Sequence, residues 1–143
     1  MKTKTLFQDK ELLSTLIFTV VCWGVLSMTG IEYAETNAKL SIDVLIASIF
    51  VMPVLEELAF RGFIQQNLAK TELGKVKFYK LTTSNLITSF LFAGWHIFYH
   101  PAILSIATFF PSIILGYFLE KYESLKPCFF LHIFFNLGYF FIL

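Results

Sequence analysis

One stretch constrains this chain more than any other: Pro53-Val54-Leu55-Glu56-Glu57-Leu58-Ala59-Phe60-Arg61-Gly62-Phe63. Two adjacent carboxylates and an arginine sit where the apolar run from Val44 to Leu55 is still inside a bilayer-length segment. A charge in such a place is expensive and is kept where it has a partner and a task. On a helix, Glu57 and Arg61 share a face, with the acid on the N-terminal side, the better orientation for pairing. Glu56 lies about 100° round the helix from Glu57 and is left free. Glu57 with Arg61 therefore reads as a helix-fixing ion pair, and Glu56 as the acid available for chemistry.

The rest of the composition agrees with a membrane setting. Apolar residues make up 57% and charged residues 15%, and the mean hydropathy is +0.71. This is the balance of an integral membrane protein rather than a soluble globule. At 143 residues the chain has room for one domain, residues 1–143. No basic stripe with interleaved aromatics points to nucleic acid. Cys22 and Cys128 both fall in apolar segments and read as small buried hydrophobes, with no disulfide framework or metal knuckle.

Taken in order, the sequence predicts an all-α, polytopic transmembrane bundle of about five spans. A polar start with Lys2, Lys4 and Lys10 leads into Leu12 to Thr29, read as an uncleaved first span. After a polar loop, Gly30 to Ser41, the second span starts at Ile42 or Asp43 and runs to about Leu68, with Pro53 kinking it before the acids. Ala69 to Lys80 is a charged connection. Leu81 to Tyr99 forms the third span, Ala102 to Leu119 the fourth with Pro111 inside it, and Cys128 to Leu143 the fifth, after a turn from Glu120 to Pro127. Placing the N-terminus in the cytoplasm puts every lysine except Lys39 on that side. On that count Glu56 and His132 fall toward the cytoplasmic half and His96 nearer the opposite face.

Few other polar groups occur inside the spans. His96 follows Phe92 by one turn on the third, and His132 and Asn136 share a face on the fifth. Three helices thus each carry polar groups into a medium that penalises them, and convergence in the bundle interior is the cheapest arrangement. Singly, a histidine or asparagine here serves as a helix–helix hydrogen-bond partner, and His100, before Pro101, reads as interfacial. Jointly with Glu56 they make a hydrolytic set. A carboxylate takes a proton from water, and an imidazole helps hold that water. A second imidazole and a carboxamide donate to a developing oxyanion. The same Glu56, His96 and His132 also describe a zinc site with one open position, and spacing alone leaves both readings open. Five short spans without a repeat argue against a transporter.

Glu-Glu-x-x-x-Arg (Glu56, Glu57, Arg61), then Phe-x-x-x-His (Phe92, His96), then His-x-x-x-Asn (His132, Asn136), with Pro53 before and Gly62 after the first motif, resemble the CPBP family. These are the CAAX-protease and bacteriocin-processing intramembrane proteases, related to type II CAAX prenyl endopeptidase. The resemblance covers residues 42–140. It implies a glutamic-type protease in which Glu56 activates water together with His96, while His132 and Asn136 stabilise the oxyanion. Glu57 and Arg61 would hold the site in shape, with Phe92 as its wall. It implies no metal cofactor, zinc on Glu56, His96 and His132 being the alternative. The expected partners are the lipid bilayer and a membrane-anchored peptide or protein, with a C-terminal sorting signal as first candidate. A bacterial inner membrane is the expected location. The rival class is a non-catalytic immunity protein that works by binding.

Overall fold

The computed structural model describes residues 8–28 and 41–141. Helix α1 (Lys10–Ser27) is capped by Asp9, whose Oδ1 accepts the Glu11 N–H at 2.9 Å and satisfies a first-turn donor that the helix leaves unpaired. The expected loop up to Ser41, with Lys39, lies outside the described residues, as do Lys2 and Lys4.

The second span is helical from 42 to 68, the bounds expected, but it alternates between two windings: α2 (Ile42–Ile46), π1 (Ala47–Val51), α3 (Met52–Glu57), π2 (Leu58–Gln65) and α4 (Gln66–Leu68). Pro53 accounts for the first change. Its ring presses on the carbonyl four residues back and it has no N–H to donate. The preceding turn opens, and the Met52 N–H reaches back five residues to the Ala47 oxygen. The wider second π segment matters more. In an α-helix, residues four apart overshoot one turn by about 40°, and the drift accumulates. The wider i→i+5 winding removes that overshoot, so Glu57, Arg61 and Gln65 stay in line, at 0%, 0% and 1% exposed.

The connection after Leu68 holds a short helix, α5 (Glu72–Lys75), and a minimal antiparallel ladder that the all-α expectation did not include. In it β1 (Lys77–Phe78) pairs with β2 (Leu81–Thr82), Lys77 opposite Thr82. Thr82 then caps α6 (Thr83–His96), its Oγ1 accepting the Asn85 N–H at 3.1 Å. The fourth span is broken at Thr108 into α7 (Ala102–Ala107) and α8 (Phe109–Tyr122). Pro111 is the third residue of α8, in the first turn, where a missing N–H is tolerated. Helix α9 is Lys126–Phe141.

Helix α8 sits at the centre, packed on α6, α7, α9 and π2. Leu115, Phe118 and Leu119 pack with Leu12, Cys128 and Leu131 into the apolar core. Helix α1 rests on α9, with Trp23 over Gly138, where an added Cβ would lie 1.9 Å from the indole, and 4.8 Å from the Phe134 ring. Cys128 is buried, as expected, while Cys22 is only half-buried.

The bundle is polar inside and apolar outside. Glu57, Arg61, Gln65, Asn85, Thr88 and Ser112 are all sealed from solvent, whereas Ile17, Phe18, Ile103 and Phe110 are each more than 60% exposed. That inversion suits hydrocarbon, where polar groups gain only by finding each other. Among the described residues, two helices, Lys10–Ser27 and Ala102–Tyr122, are long and apolar enough to cross a membrane.

At one end of the bundle, three lysine-bearing segments converge. Lys80 from the β-turn and Lys121 from α8 both reach Glu11, at 2.7 Å each, and Lys121 also meets Asp9 at 2.5 Å. Tyr122 donates to Asp9 at 2.5 Å and Tyr117 donates to Glu11. These contacts clasp the start of α1 to α8 and to the β-turn.

Candidate active site

The acid pair ends α3, just before the winding widens. Glu57 is fully enclosed. Its Oε2 lies 3.2 Å from Arg61 Nε, a contact between charges rather than an aligned hydrogen bond. Arg61 Nη2 donates to the Ser112 carbonyl at 3.0 Å and to Ser112 Oγ at 2.6 Å. The guanidinium carbon stands 4.5 Å over the Phe92 ring, and a desolvated cation over an aromatic face gains about 2 kcal/mol. Glu57 and Arg61 therefore behave as their spacing suggested, as a buried pair that fixes the second span against α8.

The other oxygen of Glu57 does something the sequence reading did not assign. Glu57 Oε1 accepts from His132 Nδ1 at 2.7 Å. An ionised carboxylate accepts only, so Nδ1 carries the proton and His132 is held in one tautomer and one orientation. Its other nitrogen, Nε2, turns to Glu56, 3.6 Å from Oε2. Glu56 is the less enclosed acid, its side chain 23% exposed.

Phe92 joins the two histidines. Its ring centroid is 4.4 Å from His96 and 5.7 Å from His132, and its carbonyl accepts from His96 Nδ1 at 2.9 Å. His96, His132 and Asn136 line one cavity of about 70 Å³ with Phe92, Thr108 and Ser112, more room than a single water needs. The depth count had separated His96 from His132; a shared phenylalanine and a shared cavity bring them together. Asn136 spends one N–H on the Ser48 carbonyl at 2.9 Å, which fixes its carboxamide and leaves the second N–H. Among the described residues no hydrogen bond or ion pair joins Glu56 to His96; the imidazole against Glu56 is that of His132. His100 stacks on His96 at 5.7 Å, half-buried at the end of the third span. Among the described residues, no three His, Cys, Asp or Glu are grouped to hold a metal ion.

Behind the site runs a polar ladder that sequence reasoning missed. Arg61 meets Ser112, and one turn on Gln65 Nε2 donates to the Gly116 carbonyl at 3.1 Å and to Glu120 Oε1 at 2.8 Å. Glu120 also accepts from Thr82 at 2.5 Å, and Asn85 donates to the Ile113 carbonyl at 3.0 Å. The signal was present: Ser112, Gly116 and Glu120 recur every fourth residue along an apolar helix, one face by spacing. Glu120 had been read into the polar turn, yet it closes this ladder inside the bundle.

No characterised protein and no solved structure matches the chain. The family model described as type II CAAX prenyl endopeptidase Rce1-like matches residues 38–138, which include the acid pair, both inward histidines and Asn136. Most of the chain lies inside that match, and the chain belongs to the Rce1-like, type II CAAX prenyl endopeptidase family.

Proposed function

We propose that this protein is an intramembrane endopeptidase that cuts a membrane-associated peptide with water activated by Glu56. The observation that carries the reading is His132 held between adjacent acids, Nδ1 on Glu57 and Nε2 toward Glu56, on the wall of a cavity shared with His96 and Asn136. A purely structural ion pair would not need the second acid, and a purely structural histidine would not need a cavity.

In this mechanism Glu56 removes a proton from water as the oxygen attacks the scissile carbonyl. A C–O bond forms, and the carbonyl π pair moves onto oxygen. Asn136 donates to that oxyanion, and so does His132 when Nε2 as well as Nδ1 carries a proton. His96, with Nδ1–H on the Phe92 carbonyl, presents Nε2 as an acceptor that positions the water. When the C–N bond breaks, the proton held by Glu56 passes to the leaving amine. Glu57 and Arg61 take no part in proton transfer; they hold His132 and the helix in place.

The membrane setting follows the apolar exterior, with about five spans, the N-terminus in the cytoplasm and a bacterial inner membrane as the assigned location. The lysine-rich end clasped by Glu11 and Asp9 would then be the cytoplasmic one. The substrate is a membrane-anchored chain, with a C-terminal sorting signal as the first candidate. The test is co-expression with candidate substrates and mass spectrometry of membrane peptides, wild type against Glu56→Gln and His96→Ala. New termini that appear with wild type and vanish in both variants are the expected result. Identical peptides in wild type and Glu56→Gln cells would favour an immunity protein that works by binding.

A further inference from the structure

We propose that Ser112 is a further catalytic residue, donating its hydroxyl proton to the carbonyl oxygen of the scissile bond. The proposal rests on the peptidase reading above and adds a donor that none of the three motifs contains.

The hydroxyl of Ser112 departs from the commonest pattern on these helices. Ser14, Thr15, Thr19, Ser105 and Thr108 all return their protons to a carbonyl of their own chain three to five residues back, the ordinary habit of a helical hydroxyl. Ser112 does not. Its oxygen is fully buried and already accepts from Arg61 Nη2 at 2.6 Å, and the same nitrogen holds its carbonyl at 3.0 Å. Among the described residues the Ser112 hydroxyl proton has no acceptor, and the residue lines the cavity with His96, His132 and Asn136. A buried donor without an acceptor is costly, and that cost is removed when a substrate supplies the acceptor.

The contact from Arg61 also makes the hydroxyl a better donor. A cationic N–H on the serine oxygen draws density from its O–H, and hydrogen bonds in series strengthen one another where the dielectric is low. Positive charge is thereby passed from Arg61 to the cavity without a charged group entering it. Ser112 is held by the guanidinium, and the Asn136 carboxamide is fixed through its other N–H by the Ser48 carbonyl. Both are donors fixed before substrate arrives, the condition for stabilising an oxyanion rather than merely binding a carbonyl. As the carbonyl π pair moves onto oxygen, the Ser112 O–H strengthens its hydrogen bond and keeps its proton. No proton changes hands there, so the balance of the Glu56 step is unaltered.

The test compares wild type, Ser112→Ala, Ser112→Thr and Glu56→Gln as purified full-length chains in proteoliposomes. The probes are a quenched prenylated CAAX peptide and an unprenylated C-terminal sorting-signal peptide, with the membrane-peptide comparison in cells as a third readout. Ser112→Ala should lower kcat about 10²-fold, the order expected for one oxyanion donor, with KM within about twofold. Ser112→Thr, which keeps the hydroxyl, should recover most of kcat and guards against a fold defect in the alanine variant. A serine that only braces Arg61 would give the alanine variant a lower melting temperature and a raised KM, and that result overturns the assignment. Wild-type kcat in Ser112→Ala, with Glu56→Gln inactive, removes Ser112 alone. Equal peptides from wild type and Glu56→Gln in all three readouts remove the peptidase reading, and Ser112 with it.

Discussion

Glu57 and His132 meet at 2.7 Å across 75 residues of chain, and this contact fixes which nitrogen of the histidine faces Glu56. The two adjacent acids thereby acquire different roles. One is sealed between Arg61 and His132, and the other stays partly open beside the free nitrogen of the same ring.

That division predicts opposite behaviour for the two acids. Glu57→Ala leaves Arg61 buried without its counter-charge, and breaking a buried pair in this way costs about 3–5 kcal/mol. Glu56→Gln removes the base from a partly open position whose one ion-pair contact among the described residues is the 3.6 Å approach to His132 Nε2, so unfolding should shift by less than about 1 kcal/mol while cleavage disappears. Thermal unfolding in detergent beside a cleavage assay measures both. A Glu56→Gln chain that is inactive and badly destabilised would blur the division.

Gly116 is the tightest point of the ladder. A Cβ there would stand 2.1 Å from Asn85 Oδ1 and 2.8 Å from Gln65 Oε1. Gly116→Ala must displace both carboxamides, and overpacking of this kind costs about 1–3 kcal/mol. Because Gln65 follows Arg61 by one turn, activity should fall with stability. Unfolding midpoints that match wild type would show that the carboxamides move aside freely.

The clasp at the lysine-rich end makes stability depend on acid. Burial pushes the Asp9 carboxyl up, but hydrogen bonds from Lys121, Tyr122 and the Glu11 N–H outweigh it and bring its pKa to about 2. The folded value lies below the unfolded one, about 3.9. The contribution is therefore fully present above about pH 4 and is lost as pH falls toward 2. Melting temperatures of wild type and Asp9→Asn should differ at pH 7 and draw together as pH falls from about 4 toward 2. A gap that stays constant down to pH 2.5 would assign the clasp to something other than this carboxylate.

Metal removal separates the two hydrolytic chemistries. With water activated directly by Glu56, a strong zinc chelator leaves cleavage unchanged and added zinc does nothing. Loss of activity with chelator and its return with zinc would make Glu56, His96 and His132 metal ligands. Metal content by mass spectrometry of the purified chain gives the same answer without a substrate.

Much of the arrangement around the candidate site was legible before any coordinates. The spacing of Glu57 and Arg61 forecast their pairing, and the polar residues on three separate helices forecast convergence, because hydrocarbon leaves such groups few alternatives. The second span was read to within its observed bounds. The π winding was not legible, since an i→i+5 turn leaves no mark in a run of apolar residues. Nor was the break at Thr108 between α7 and α8.

The sequence by itself determined the membrane character, the mostly helical fold and a short list of candidate residues for chemistry. All three follow from local spacing and from the cost of burying charge. Only the tertiary structure decided the pairings: His132 with Glu57, Ser112 with Arg61, Glu120 with Gln65 and Thr82. These partners lie 38 to 75 residues apart, and one-dimensional spacing carries no information about which face of one helix meets which face of another. Packing decides that, and here it seals Glu57 between Arg61 and His132 and leaves Glu56 partly open.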